Sequence, residues 1–202
     1  MRFDTERPVR YLISAGNGTP ETFPVFKEYF LQTIRLAVEA RISLLQIREK
    51  LVTINQLFEL ATAAVEITRN SNTKLLINGR ADVAAAAGAD GVHLPADGVP
   101  VGVIRKSLPT PFVIGCSVHT LERAVAAKAE GADFILFGPV FDSGEKNGVG
   151  LAKFSEVAAA VGETPVLAVG GIDVSNVNEV IEAGAVGFAS IRYLNDHSVL
   201  KS

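Results

Sequence analysis

The sequence predicts a single (β/α)₈ barrel that spans residues 1–202 and ends in a short C-terminal helix. Eight short apolar runs recur along the chain, and each is long enough for one buried strand. They alternate with stretches of helical periodicity, a pattern that favours a parallel sheet. Eight strands close a barrel of this kind, for which 202 residues is a short length. A doubly wound open sheet is the main alternative.

The predicted strands are brief runs rich in Val, Ile, Leu and Phe. In chain order they are Val9–Ser14, Ile42–Gln46, Lys74–Ile77, Gly91–Leu94, Phe112–Gly115, Phe134–Phe137, Val166–Val169 and Gly187–Ser190. Three helices are predicted by apolar residues three or four positions apart, which fall on one face. Those faces are Phe26/Phe30/Ile34/Val38, Ile54/Phe58/Ala61/Val65 and Leu121/Val125/Ala129. Asp173 or Ser175 is the expected cap of a further helix that ends near Gly184.

Three short phrases suggest a repeated turn between a helix and the next strand. They are Ala87–Gly91, Glu130–Asp133 and Ala183–Gly187, each built around one glycine. This repetition favours the barrel over the open sheet.

Composition excludes several classes of protein. The net charge of −3 gives no indication of a nucleic-acid surface. Cys116 is the single cysteine, so no disulfide framework is possible and a reducing compartment fits. Met1–Arg7 lacks the apolar core of a signal peptide, and no apolar run reaches membrane-spanning length. A cytoplasmic protein is the expectation.

Gln46, Arg48 and Lys50 lie where the second predicted strand runs out. Because strand side chains alternate, we expect the three to share one face. Arg offers a two-pronged donor and Lys a compact charge, so the run predicts a phosphate or pyrophosphate site. An ordinary salt bridge, for example with Glu49, is an equal alternative.

Gly170 and Gly171 follow the seventh predicted strand and precede a helix. Backbone amides at such a turn bind anions, and barrels often hold a phosphate after strands 7 and 8. A tight turn that merely needs glycine is the alternative.

Polar residues also lie at or after three further strand ends. Asn78 ends the third strand, Ser117 and His119 the fifth, and Lys146 lies in a glycine-rich loop after the sixth. His119 is a candidate for proton transfer near neutral pH, and the loop for closing over a substrate. The alternatives are a helix N-terminus capped by Thr120 and a surface loop. His93, in the fourth strand, is interpreted as a core histidine.

Six motifs in chain order together resemble the thiamine-phosphate synthase/TenI superfamily. They are Gln-x-Arg-x-Lys at 46–50, Asn78, Gly-Val-His-Leu at 91–94, Ser-Val-His-Thr-Leu-Glu at 117–122, Phe-Gly-Pro-Val-Phe at 137–141 with Lys146, and Ala-Val-Gly-Gly-Ile at 168–172. The match runs from about Tyr11 to Ile191 and implies a TIM barrel. Synthases of this superfamily join a hydroxymethylpyrimidine pyrophosphate to a hydroxyethylthiazole phosphate, with Mg²⁺ and through a pyrimidine carbocation.

The resemblance implies two sets of binding residues. The pyrimidine and its pyrophosphate would be faced by Gln46, Arg48, Lys50, Asn78, Ser117 and Lys146. The thiazole phosphate would be held by the backbone at Gly170, Gly171, Ala189 and Ser190. The resemblance also implies a homodimer whose partners are phosphorylated small molecules, not nucleic acid or membrane.

The sequence departs from the synthases at the expected Mg²⁺ ligands. Gly79 and Gly98 stand where synthases have acids, and Asp97 is the only neighbouring candidate ligand. Mg²⁺ is therefore expected only if the chain is a synthase, and no other cofactor is predicted.

Asn-Gly-Arg at 78–80 and His-Leu-Pro at 93–95 instead resemble TenI, a thiazole tautomerase. TenI uses a His as general acid/base where this chain has Pro139. The leading interpretation is a TenI-like protein that binds a thiazole phosphate, with His119, Lys146 and Arg48 as candidate catalytic residues. A thiamine-phosphate synthase, a non-catalytic binding protein with a regulatory role and an aldolase using Lys50 are the alternatives.

Overall fold

The structure is a computed structural model that describes residues 7–201. Within that range, eight strands are hydrogen-bonded in chain order into a closed barrel, as the sequence predicts. The strands are β1 (Val9–Ile13), β2 (Leu44–Ile47), β3 (Lys74–Asn78), β4 (Gly91–Leu94), β5 (Val113–Val118), β6 (Phe134–Phe137), β7 (Val166–Val169) and β8 (Gly187–Ser190). The helices are α1 (Phe23–Glu39), α2 (Ile54–Thr68), α3 (Ala81–Ala87), α4 (Val101–Ser107), α5 (Leu121–Ala129), α6 (Leu151–Val161), α7 (Val177–Glu182) and α8 (His197–Leu200). The short C-terminal helix that the sequence predicts is α8.

Four strands differ from their predicted bounds: β1 and β3 by one residue at the C-terminal end, and β2 and β5 by more. After α1, the Ile42 amide donates to the Ala37 carbonyl of that helix. Ile42 therefore belongs to the turn that ends α1, and β2 begins at Leu44. The predicted β5 ends at Gly115, but the strand continues because Ser117 and Val118 pair with β6. A polar Ser117 persists in this strand because its hydroxyl has a buried partner, which the apolar pattern does not reveal.

The predicted face of α5 is wrong, and that of α2 is confirmed only at Ala61 and Val65. Ile54 and Phe58 are each 43% exposed, and the buried stripe of α2 is instead formed by Leu57, Leu60, Ala61, Ala64, Val65 and Thr68. In α5 the buried residues are Ala124 and Ala127, whereas Val125 is 44% exposed. The buried residues of α5 are both alanines, whereas the inner face of α2 also has two leucines.

The chain divides into two compact units. The N-terminal unit comprises Tyr11–Val92 with the described residues from Ile191, and the C-terminal unit comprises His93–Ser190 with the described residues up to Arg10. Strands β1, β2 and β3 pair in parallel, with Ile13 opposite Gln46 and Ile47 opposite Ile77. In the C-terminal unit β5 to β8 pair in parallel, and the Val9 amide donates to the Val186 carbonyl. The single-domain assignment of residues 1–202 stays a prediction.

The repeated turns have a shared function at two of the three places. In the N-terminal unit Asp90 accepts from the Leu75 amide at 2.9 Å and from Lys74 at 2.8 Å. In the C-terminal unit Asp133 accepts from the Ile114 amide at 2.8 Å and pairs with Arg105. Each aspartate thus links the residues before its own strand to the first residues of the preceding strand.

The third phrase has Val186 at the corresponding place, and its backbone amide bonds Val166. In all three turns the glycine adopts a positive φ, at Gly88, Gly131 and Gly184.

Among residues 7–201, no helix is long and apolar enough to cross a membrane. The expectation that Met1–Arg7 is not a signal peptide concerns residues that, up to Glu6, lie outside the described part of the chain.

Candidate anion-binding site

The end of β2 differs from the predicted arrangement. Because β2 ends at Ile47, strand alternation does not determine where Arg48 and Lys50 point, and the shared face expected for Gln46, Arg48 and Lys50 stays a prediction. Gln46 is buried and its Nε2 donates to the Tyr11 hydroxyl at 2.6 Å. Burial raises the pKa of Tyr11, which the hydrogen bond from Gln46 offsets only in part, so the phenol stays protonated.

Lys50 and Asn78 meet instead in a pocket of about 230 Å³ in the N-terminal unit, which Arg80 also lines. Among residues 7–201, neither Lys50 nor Asn78 has a side-chain partner. Arg80 donates to both oxygens of Asp82, at 2.9 and 2.6 Å, and this contact lowers the pKa of Asp82 to about 2. Among the described residues that line this pocket, Lys50 is therefore the cation that is not paired with a carboxylate.

Glu49, which the sequence suggested only as a salt-bridge partner, is buried. Its Oε1 accepts from Ser14 Oγ at 2.6 Å and from the Gly16 amide at 3.1 Å, and its Oε2 accepts from the Gly18 amide at 2.9 Å. No ion pair among residues 7–201 includes it. The signal that sequence reasoning missed is the Ser-x-Gly-x-Gly spacing after β1, which brings one hydroxyl and two amides to a single carboxylate.

Arg48 is half-buried beside the same loop. Its backbone amide donates to Ser14 Oγ at 2.8 Å, and a Cβ placed on Gly16 would lie 3.9 Å from Arg48 Nη1. Arg48 does not line the pocket that holds Lys50 and Asn78. The two cations of the run therefore face different surroundings.

In the C-terminal unit Ser117 bonds a histidine that the sequence assigned to the core. Ser117 Oγ lies 2.8 Å from Nε2 of His93, which is 2% exposed, and the imidazole lies against the Phe134 ring at a centroid distance of 5.9 Å. His93 is thus a core residue that also orients a predicted binding residue.

His119 follows the end of β5 and is exposed. Its Nδ1 lies 2.7 Å from the Gly138 carbonyl oxygen, which can only accept, so Nδ1 carries the proton and Nε2 is the acceptor of the neutral ring. Ser117 and His119 both line a cavity of about 290 Å³ along β5 and α5. Cys116 lines it too, and burial raises the pKa of that thiol to about 12, with a smaller contribution from the Glu130 charge.

The glycines after β7 are required for packing. A Cβ on Gly170 would lie 2.3 Å from Pro139 Cβ, and one on Gly171 would lie 2.7 Å from the Asp142 carbonyl oxygen. The Val140 amide bonds Val169 at 2.8 Å and the Phe141 amide bonds Gly170 at 3.2 Å. The loop after β6 therefore continues the pairing with β7, and the tight-turn alternative accounts for these glycines.

That packing leaves amides for a ligand. Among the described residues, the backbone amides of Gly170 and Gly171 donate none of the hydrogen bonds to backbone carbonyls that are found in loops, turns and helix caps. Asn176 holds the turn, because its side chain donates to the Gly171 carbonyl at 2.8 Å and accepts from the Asp173 amide at 3.0 Å. The predicted cap is wrong: Asp173 accepts from Ser175, and Asn176 precedes the six-residue α7.

The remaining predicted binding residues lie in the same unit. Ala189 and Ser190 are the buried last residues of β8. Lys146 is exposed on the loop after β6, where its backbone pairs with Ser143. The side chain of Lys146 has no partner among residues 7–201.

The carboxylates next in sequence to Gly79 and Gly98 are Asp82 in the N-terminal unit and Asp97 in the C-terminal unit. Asp82 is engaged by Arg80, and Asp97 lies exposed on the turn that the Gly98 amide closes onto the Pro95 carbonyl. A Cβ on Gly98 would lie 2.9 Å from Pro95 Cδ, so that turn has no room for an acid. Within residues 7–201, no group of three His, Cys, Asp or Glu side chains is placed to bind a metal ion.

The closed barrel places this chain among the (β/α)₈-barrel proteins. The sequence profile of the family described as thiamine monophosphate synthase matches residues 19–194. The chain belongs to that family, which confirms the predicted superfamily.

Individual relatives agree with this assignment. A thiamine-phosphate synthase of Methanoculleus marisnigri is 45% identical over 161 residues, which are 78% of this chain and 76% of the relative. A thiamine-phosphate synthase of Chlorobium phaeovibrioides is 37% identical over 195 residues, 95% of this chain and 88% of the relative. The structure of a thiamine phosphate pyrophosphorylase from Pyrococcus furiosus superposes with a TM-score of 0.82 at 29% identity, covering 98% of this chain and 92% of that one.

Proposed function

We propose that this protein is a thiamine-phosphate synthase, which joins hydroxymethylpyrimidine pyrophosphate to a thiazole phosphate. The observation that carries the proposal is the 45% identity to a relative of that name over 78% of this chain. The comparisons thus favour the synthase over the TenI-like tautomerase that strands 3 and 4 suggested.

The reaction needs two anionic groups to be held. In the N-terminal unit, Arg48, Lys50 and Asn78 are the groups assigned to pyrophosphate, and Lys50 and Asn78 already share one pocket. In the C-terminal unit, the amides near Gly171 and the backbone at Ala189 and Ser190 are assigned to the thiazole phosphate. Gln46, Ser117 and Lys146 keep the roles that the family resemblance implies.

The chemical step breaks the bond between the pyrimidine methylene carbon and the pyrophosphate oxygen. Pyrophosphate leaves with the electron pair, and the thiazole nitrogen then forms a bond to the cationic carbon. Fixed cations at the leaving group stabilise the charge that develops there. Arg48 and Lys50 supply this stabilisation from the chain, and bound Mg²⁺ would add to it.

A tautomerase is the second candidate, and His119 is the observation that favours it. The bond to Gly138 fixes its tautomer, so Nε2 of the neutral ring is available as a base. A binding protein with neither activity is the third candidate.

One assay separates the three. The purified protein is incubated with both substrates, with and without Mg²⁺, and thiamine phosphate is quantified after oxidation to its fluorescent thiochrome. A second arm follows the ultraviolet spectrum of the thiazole carboxylate phosphate during tautomerisation. We expect thiamine phosphate in the first arm; activity only in the second arm would identify a tautomerase, and none in either would overturn both enzyme assignments.

Two further expectations accompany the proposal. The homodimer implied by the family resemblance is tested by sedimentation equilibrium. Mg²⁺ dependence stays a prediction of the synthase assignment, and the arm without Mg²⁺ tests it.

A further inference from the structure

We infer that Glu49 is a positioning residue that aligns Arg48 for the pyrophosphate of the substrate, an inference that rests on the proposed function. Glu49 is 6% exposed, yet all three of its hydrogen-bond donors are neutral: Ser14 Oγ and the amides of Gly16 and Gly18. Burying a carboxylate costs several kcal/mol, roughly, unless its oxygens are satisfied. An apolar side chain at this position would leave the Ser14 hydroxyl and the two amides without this acceptor, so the carboxylate fixes the loop after β1 and does more than fill volume.

The loop after β1 is shaped around this carboxylate. A Cβ on Gly18 would lie 3.1 Å from Glu49 Oε2 and 2.8 Å from the Phe26 ring. Gly16 adopts φ +78°, and a Cβ there would lie 3.4 Å from the Arg48 carbonyl oxygen. Glycine at these two positions lets both amides reach Glu49 while the loop runs alongside Arg48.

A chain of hydrogen bonds links the carboxylate to Arg48. The single proton of the Ser14 hydroxyl goes to Glu49 at 2.6 Å, so its oxygen accepts the Arg48 amide at 2.8 Å. The regular strand ends at Ile47, and this chain therefore fixes the backbone where the ladder no longer does. The Arg48 guanidinium lies alongside this loop, since its Nη1 would be 3.9 Å from a Cβ on Gly16.

The negative charge of Glu49 means that a charge effect and a positioning effect change pyrophosphate affinity in opposite directions. A negative charge near an anion site weakens anion binding by Coulomb repulsion. If Glu49 acted by charge alone, Glu49→Gln would strengthen pyrophosphate binding. If Glu49 positions Arg48, the same substitution weakens binding. The NH₂ group of Gln would then face the Ser14 hydroxyl or the loop amides, which are themselves donors, and those hydrogen bonds would be lost.

The test measures binding of inorganic pyrophosphate by calorimetry, and the KM of each substrate, for wild type and Glu49→Gln. We expect pyrophosphate to bind roughly tenfold to a hundredfold more weakly in Glu49→Gln. The KM of the pyrimidine pyrophosphate should rise while that of the thiazole phosphate stays within about twofold. Glu66→Gln is the matched control, since Glu66 is exposed and paired only with Arg69.

Ser14→Ala tests the same link and leaves Glu49 its two amide donors, so it replaces Glu49→Gln if that variant does not fold. It should weaken pyrophosphate binding in the same direction. Unchanged or tighter binding in the folded variant, or equal rises in both KM values, would overturn the inference. A wild-type protein that binds pyrophosphate but forms no thiamine phosphate would overturn the proposed reaction and leave the binding test of Glu49 intact.

Discussion

His93 Nε2 lies 2.8 Å from Ser117 Oγ, which joins a fully buried imidazole of β4 to a half-buried hydroxyl of β5. Ser117 is one of the residues that the family resemblance assigns to the pyrimidine substrate. The hydrogen bond fixes the direction of its hydroxyl, and the ring of Phe134 supports the imidazole from the next strand. A core histidine therefore orients the hydroxyl of a residue that is predicted to bind the substrate.

Ser117→Ala should lower both stability and activity. The substitution removes this partner of a buried imidazole nitrogen, which costs about 1–3 kcal/mol of unfolding free energy. Urea unfolding measures that cost, and the KM of the pyrimidine substrate should rise in the same variant. Ser143→Ala, at a half-buried loop position, is the control, and a stability of Ser117→Ala equal to that of the control would contradict the role of the hydrogen bond.

Lys50→Ala should weaken pyrophosphate binding by about tenfold to a hundredfold, because Lys50 is the cation of its pocket that no carboxylate engages. The difference from wild type should shrink as salt is raised, since screening weakens exposed charge interactions. Calorimetry at two ionic strengths measures both effects. Lys106→Ala, which removes an exposed lysine of α4, should bind like wild type; equal loss in the two variants would point to net charge rather than to this pocket.

Gly170→Ala should destabilise the protein by about 3 kcal/mol or more, because the new Cβ would meet Pro139 in a backbone that already has a positive φ. Gly144→Ala is the matched comparison: φ is also positive, but no atom lies within 4 Å of the added Cβ. That variant should lose only about 1 kcal/mol. Thermal unfolding of the two variants decides whether steric packing or backbone conformation alone requires glycine at position 170.

Cys116 should resist labelling in the native protein. Burial raises the pKa of its thiol to about 12, so the thiolate is absent at pH 8. A thiol reagent should therefore modify the folded protein slowly and the unfolded protein at its one cysteine. Rapid labelling of the folded protein would contradict this burial.

The same thiol predicts a pH dependence of stability. The unfolded state releases the thiol proton near the ordinary pKa of about 9, whereas the folded state retains it to about 12. Stability should fall as pH rises through that window. The slope should be smaller in Cys116→Ala, which urea unfolding at pH 8 and pH 10 measures.

Much of the fold follows from the sequence because each strand is a short apolar run between turns. The bounds of β4, β6, β7 and β8 match their predictions. The pattern fails for β5, because the partner that keeps Ser117 in the strand comes from another element. It also fails for α5, whose inner face is two alanines while Val125 remains exposed, and for the first turns of α2, where Ile54 and Phe58 remain exposed.

The site was less predictable for a related reason. Alternation describes a regular strand, and β2 ends two residues before Glu49, so the alternation that was used to place Gln46, Arg48 and Lys50 on one face does not reach Lys50. Glu49 itself gave no signal in apolar periodicity, since its partners are backbone amides after another strand. Gln46 was found by its motif, but its bond to Tyr11 required the structure.

The central claim is the condensation itself, and ³¹P NMR of the protein with both substrates tests it most directly. A thiamine-phosphate synthase should release one pyrophosphate for each thiamine phosphate that forms, and none when the thiazole phosphate is omitted. Both resonances should grow far more slowly with Lys50→Ala at the same protein concentration. Wild-type spectra that show no pyrophosphate over many equivalents of substrate, with Mg²⁺ present, would contradict the assignment.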